Sequence, residues 1–174
     1  MKTRRTKLRR KPSRGSHDRA TIKAIFDEAL VSHLGFLDAG LPVVIPTLHA
    51  RVGSHVYLHG SAASRALRES RGAEVCLTAT LIDGLVLARA AMHHSANYRS
   101  AMLFGAAEWI EDEAEKLSAL EALVEKLIPG RWPDARVPTE TELRATALLR
   151  IPLEEASAKL RSGPPIDDEA DLGL

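Results

Sequence analysis

Residues 85–105 read Leu85-Val-Leu-Ala-Arg-Ala-Ala-Met-His-His-Ser-Ala-Asn-Tyr-Arg-Ser-Ala-Met-Leu-Phe-Gly105. Two apolar, strand-like runs enclose a polar knot of His93, His94, Ser95, Asn97, Tyr98, Arg99 and Ser100. A plain hairpin needs only Gly, Asn or Asp at its turn. Two imidazoles, a phenol, an amide, two hydroxyls and a guanidinium between hydrophobic strands instead suit a polar ligand at a barrel rim.

Outward from this segment, further strand-like runs recur with turn signals between them. Val31–Asp38, Leu41–Ala50 and His55–His59 read as an antiparallel meander, with Ala39-Gly40 and Arg51-Val52-Gly53-Ser54 as turns. Glu74–Ile82 and Leu85–Met92 read as a hairpin joined by Asp83-Gly84, followed by a long strand over Arg99–Ile110 and a last one over Glu142–Ile151, with Leu153–Arg161 as a closing segment. Gly105 inside the long strand predicts a bulge or a close backbone approach. Two helices flank the strands. Arg19–Leu30 starts at the N-cap Asp18, and Glu111–Ile128 is stopped by Pro129-Gly130. Six or seven strands without βαβ alternation predict a mainly β fold, an antiparallel barrel with peripheral helices.

At 174 residues and 45% hydrophobic, the chain has material for one well-cored domain. We place that domain at residues 15–163, between a basic, disordered arm (1–14) and an acidic tail (164–174). The arm carries Lys2, Arg4, Arg5, Lys7, Arg9, Arg10, Lys11 and Arg14 without an acid. It has neither an aromatic for base stacking nor a helical pattern, so a solvated tail is the plainer reading and nucleic-acid binding a poor fit. No apolar run approaches the roughly 20 residues of a membrane span, and residues 1–17 lack the apolar core of a signal peptide. Cys76, alone in an apolar strand pattern, reads as a small buried hydrophobe. These points predict a cytoplasmic protein.

Three clusters carry chemistry. In Tyr57-Leu-His-Gly-Ser-Ala-Ala-Ser-Arg65 a strand ends in Gly60 and Ser61, and Ser64 and Arg65 open a helix. Backbone N–H groups, hydroxyls and a cation there make a phosphate cradle, although Ser61 or Ser64 as an ordinary N-cap explains the same residues. In the 93–100 knot, adjacent histidines on an extended chain point to opposite sides, and no Cys or carboxylate stands at ligand spacing, so we expect no metal. Arg99 offers a bidentate fork to a phosphate or ring carbonyl. Pro129-Gly-Arg-Trp132 places Arg131 and Trp132 past a helix end, where Trp132 either covers the core or stacks on a ligand. No Gly-x-Ser-x-Gly elbow, Walker loop or Gly-x-Gly-x-x-Gly occurs, and no residue is assigned a catalytic role.

Together these segments resemble the flavin-nucleotide-binding branch of the pyridoxamine 5′-phosphate oxidase-like proteins, the FMN-binding split barrels that include nitroimidazole-resistance-type proteins. The matching residues include His33-Leu-Gly-Phe36, Pro42-Val-Val-Ile-Pro-Thr47, Tyr57-Leu-His-Gly-Ser61 with Ser64, His93-His-Ser95, Asn97-Tyr-Arg-Ser100, Phe104-Gly105, Pro129-Gly-Arg-Trp132 and Lys159-Leu-Arg161. The resemblance implies a six-stranded antiparallel split barrel, a homodimer with FMN at the interface. Pro46 and Thr47 would lie along the flavin ring, and His59, Gly60, Ser61, Ser64 and Arg65 would surround its phosphate or ribityl end. The 93–100 block would close the pocket. The chain lacks the C-terminal Arg-x-His substrate signature of true pyridoxamine phosphate oxidases. The resemblance thus points to an FMN-dependent oxidoreductase that reduces a small acceptor with a nicotinamide donor, with Arg99 and Arg131 as candidate cations near the ring. A non-catalytic flavin- or haem-binding module is the alternative.

Overall fold

The computed structural model describes residues 2–173; the first residue of the basic arm and the last of the acidic tail lie outside it. Nine strands form one continuous sheet in the order β1-β9-β6-β5-β2-β3-β4-β8-β7. They are β1 Gly15–Ser16, β2 Val31–Asp38, β3 Leu41–Val52, β4 His55–Ser61, β5 Glu74–Val86, β6 Ser95–Ala106, β7 Glu108–Trp109, β8 Thr146–Pro152 and β9 Glu155–Arg161. The helices are α1 Arg19–Glu28, α2 Arg65–Ser70, α3 Glu113–Leu127 and α4 Glu140–Ala145. The split-barrel class is as expected. The strand count exceeds six because β1 and β7 are two-residue additions and β9 is a full strand.

Period-2 burial fixes the inside of the barrel. Along β2, Ser32, Leu34 and Phe36 are buried while Val31, His33 and Leu37 are exposed. Leu34 pairs with Leu77 of β5, which pairs with Leu103 of β6, and all three are fully buried. Phe26 and Ile25 of α1 join this core. The opposite face of β3, β4 and β8 is covered by α3, where Tyr57, Ile110, Ala119 and Leu148 form a second cluster. Pairing of β3 with β4 stops at His49↔Leu58, and beyond it β4 continues to Ser61 beside β8 alone. That divergence is the split.

The barrel closes at Gly105, where a Cβ would lie 3.3 Å from Pro152 Cδ and 3.4 Å from Ile151 Cγ2. This is the close approach anticipated from the sequence, and Gly permits it because no side chain fits. The chain then crosses to β7, which pairs with β8.

Three local expectations are corrected. Asp83-Gly84 is not a hairpin turn: β5 runs through it with a bulge at Ile82/Gly84, and the connection to β6 is residues 87–94. Asp83 spends its carboxylate on Arg99 of the neighbouring strand at 2.7 Å, which keeps the strand extended. Residues 140–145 are helix, not strand, because Thr139 and Glu142 form a reciprocal capping box. The basic arm lies on the sheet: Thr6 is 1% exposed, and Arg5 reaches Glu74 and Glu155 and sits 5.0 Å over the Phe104 ring.

Candidate functional site

One face of the sheet has no helix on it. Antiparallel pairing lines up Pro46, His33, Thr78, Met102 and Ser157 across β3, β2, β5, β6 and β9, and the next row holds Val44, Gly35, Cys76, Phe104 and Glu155. Large apolar side chains stand open here. Leu37 is 61%, Val44 65% and Ile82 64% exposed. Cys76 lies on this face half-buried rather than in the core, and desolvation pushes its thiol pKa up. A contiguous apolar face of this kind marks an interaction surface.

The basic arm crosses the β9 side of that face and roofs a cavity of about 440 Å³. Its walls carry the cations Arg5, Lys7 and Lys159, the hydroxyls of Thr6, Thr78, Thr80, Ser100 and Ser157, and the apolar Met102. On the other side of Arg5 a shallower groove of about 290 Å³ runs over Gly35, Leu37, Val44, Cys76 and Phe104. Cations, hydroxyls and an apolar floor in a cavity of this size suit an anionic, ring-bearing ligand. Of the residues quoted from the sequence for the knot and the family match, Ser100 and Lys159 line the cavity. The others could not be found locally: Arg5 and Lys7 looked like a solvated charge run, and Thr78, Thr80 and Ser157 are ordinary alternating strand residues.

The 59–65 segment sits across the split. Ser64 caps α2, accepting from Leu67 N at 3.5 Å, and Gly60 lets the Leu67 side chain approach to where its Cβ would be. Ser61 Oγ accepts from Ala63 N, and Arg65 pairs with Asp38 at 3.0 Å. His59 is half-buried, with Nδ1 unpartnered and a pKa lowered by desolvation. Strand order puts β3, β2 and β5 between β4 and β6, roughly 19 Å of sheet at 4.7–4.9 Å per step. Within one chain none of residues 59–65 lines the cavity. Pro46 is on the open face, whereas Thr47 pairs with buried Ser32 and points inward.

The 93–100 block divides by alternation. Ser100 stands on the open face and donates to Lys159 O at 3.2 Å. Arg99 points the other way, bound by Glu28 at 2.5 Å and Asp83 at 2.7 Å. Asn97 accepts from Arg161, Tyr98 pairs with Arg161 across the ladder, and His94 Nδ1 lies 3.2 Å from Ala90 O. Ser95 is at the exposed start of β6. His93 gains the carboxylates its own neighbourhood lacks: Asp168 lies 4.0 Å from Nε2, and Asp171 stands in the same group. Arg131 and Trp132 follow α3, whose Glu125 accepts from Gly130 N and Trp132 N, both at 2.6 Å. The Arg131 side chain is exposed and Trp132 half-buried.

A buried polar contact beneath α3 gives the fold one pH-dependent element. Lys126 Nζ donates to Phe26 O at 2.7 Å and lies 3.0 Å from His49 Nε2, which is itself 2.8 Å from Phe26 O. Burial first, and the Lys126 charge second, lower the His49 pKa to about 4. The unfolded chain thus binds an extra proton between pH 4 and its ordinary value of 6.5. Stability is fully present above pH 6.5 and is lost as the pH falls toward 4, by an amount on the order of 3 kcal/mol. Urea midpoints measured across this window are expected to fall with acid, and His49→Gln to flatten the dependence. A slope unchanged by that substitution would assign the effect elsewhere.

The split barrel with one uncovered, cavity-bearing face defines a class of small-molecule-binding β protein. A family model described as pyridoxamine 5′-phosphate oxidase matches residues 18–160, and the chain belongs to this family. Among solved structures it is similar to the flavocytochrome Anf3 from Azotobacter vinelandii. That match has 42% identity and a TM-score of 0.91, over 99% of this chain and 80% of that one. It is also similar to the FAD and heme binding protein from Mycobacterium smegmatis, with 36% identity and a TM-score of 0.87, over 92% and 79% of the two chains. A candidate 5-nitroimidazole antibiotic resistance protein from Bacteroides thetaiotaomicron matches at 25% identity and a TM-score of 0.68, over 83% and 85%. No curated protein matches the chain significantly.

Proposed function

We propose that this chain binds a flavin nucleotide on its open face, between two copies related by a two-fold axis, and works as a redox protein that passes electrons from a nicotinamide donor to a small acceptor. The observation that carries the reading is the cavity of about 440 Å³ with three cations and a row of hydroxyls on an otherwise apolar, uncovered face. Lys159 and Lys7 would hold the phosphate, beside Arg5 whose own charge is met by Glu74 and Glu155, and Thr78, Thr80 and Ser100 the ribityl hydroxyls. His59, Ser61, Ser64 and Arg65 of the second copy would approach from across the axis. Bound flavin supplies the electron chemistry; the protein orients it, sets the charge around it and excludes water. No side chain needs to be a nucleophile. Among the described residues no helix is long and apolar enough to cross a membrane, and an unpaired Cys76 fits the reducing cytoplasm.

FMN is the nucleotide we favour from the short 59–65 cradle and the absence of a dinucleotide-type glycine loop. A second reading, FAD together with haem, is favoured by the two similar chains at 42% and 36% identity, one a flavocytochrome and one an FAD and heme binder. For haem, His33 is exposed on the open face beside Pro46 and Thr78, and its side chain makes no hydrogen bond among the described residues, so its imidazole would be available to hold the iron. Mass spectrometry of the released ligand, with a haemochrome spectrum of the same sample, separates them. FMN alone supports the first reading, FAD with haem the second, and a colourless protein that takes up no flavin overturns both.

A further inference from the structure

We infer that the chain carries a second anion site, separate from the open-face cavity, in which Arg161 and Arg14 take a phosphate group. Arg161 is 9% exposed. Its Nη1 donates to Asn97 Oδ1 at 2.5 Å and to Gly163 O at 3.4 Å, both neutral acceptors, and Nε and Nη2 have no partner among the described residues. No carboxylate lies within ion-pair distance of it among those residues, whereas Arg51, Arg99 and Arg150, whose side chains are more exposed, each have one. A guanidinium stays charged at any physiological pH. Burying that charge without a counter-ion is costly, because neutral hydrogen bonds do not replace the lost hydration.

The side chain opens into a pocket of about 460 Å³ at the edge of the sheet, formed where β1 pairs with β9. Arg14 supplies a second cation there, also without an ion pair among the described residues, and Ser13 and Ser162 contribute hydroxyls that make no hydrogen bond among them. Ser16 and Thr21 complete the polar wall. No acid lines the pocket among the described residues. Asp18, the nearest in sequence, is committed to capping α1 through Thr21 at 2.8 Å. Two cations, free hydroxyls and no acid select an oxyanion over a carboxamide or a sugar. The two guanidinium forks match the several oxygens of a phosphate ester or phosphoanhydride. The open-face cavity uses Lys159 and Ser157 of the same strand but shares no wall residue with this pocket.

Calorimetric titration of the full chain with inorganic phosphate and with ADP, at constant ionic strength, tests the site. Saturable binding of one anion per chain is expected, weakened about tenfold by Arg14→Gln and about ten- to hundredfold by Arg161→Gln, with Arg161→Lys between. Tighter binding of ADP would identify a phosphoanhydride ligand, and equal binding a simple phosphate; both support the site. Arg14 is half-buried outside the barrel core and makes no ion pair among the described residues, so its variant reports even where Arg161→Gln does not fold. No saturable binding at millimolar anion, or binding untouched by Arg14→Gln but lost in Lys159→Ala, would overturn the inference. Flavin retention reads a different pocket, so either claim can fail alone.

Discussion

Val44→Glu is expected to give a folded monomer that no longer retains flavin. Val44 is 65% exposed on the β3 side of the open face, across from Gly35 and in the same groove as Leu37. In the isolated chain the new carboxylate stays in water, so the barrel keeps its stability and circular dichroism. In a two-fold pair it is buried against the partner's apolar face without a counter-ion, at about 3–5 kcal/mol. Dimer affinity should fall by about two to four orders of magnitude, and flavin with it if the site needs both copies. A Val44→Glu dimer with full flavin would show that this face is not the interface.

Lys159→Ala should weaken flavin binding by about ten- to hundredfold, the loss of one charge-assisted contact worth about 1.5–3 kcal/mol. Arg65→Ala should act in the same direction from the other side. Its guanidinium is exposed and paired only with Asp38, so releasing it does not threaten the fold. Because Arg65 sits against Asp38 at the end of β2 and Lys159 is on β9, with β5 and β6 between them in the sheet, each flavin site would draw them from different copies. Mixing Lys159→Ala with Arg65→Ala subunits should then restore one intact site per heterodimer. Isothermal titration of the mixture against both homodimers checks this. A mixture no better than its parents would place both residues in the same site or in none.

What was legible in the sequence was whatever local patterning governs. The meander over β2, β3 and β4 followed from alternation and its two turns. Asp18 and Pro129-Gly130 bracketed their helices as anticipated, and Gly105 announced a close approach. The motif segments identified the family. Most of the differences share a cause, which is long-range pairing. Asp83-Gly84 has turn chemistry, but Asp83 is held extended by Arg99 on the next strand. The arm has the composition of a solvated tail, yet Arg5 finds Glu74 and Glu155, 69 and 150 residues away. Arg99 looked available for a ligand until α1 brought Glu28 to it. The capping box at Thr139 and Glu142 was visible and should have marked α4. Which residues share a cavity depends on strand order, and that cannot be read from any single segment.

Sedimentation velocity, recorded at both the protein and the flavin absorption bands, tests the central claim most directly. After flavin is added, both signals are expected to move together at twice the 18.9 kDa chain mass, with flavin absent from any monomer boundary. A monomer carrying a full complement of flavin, or a stable dimer that leaves all added flavin unsedimented, would contradict it.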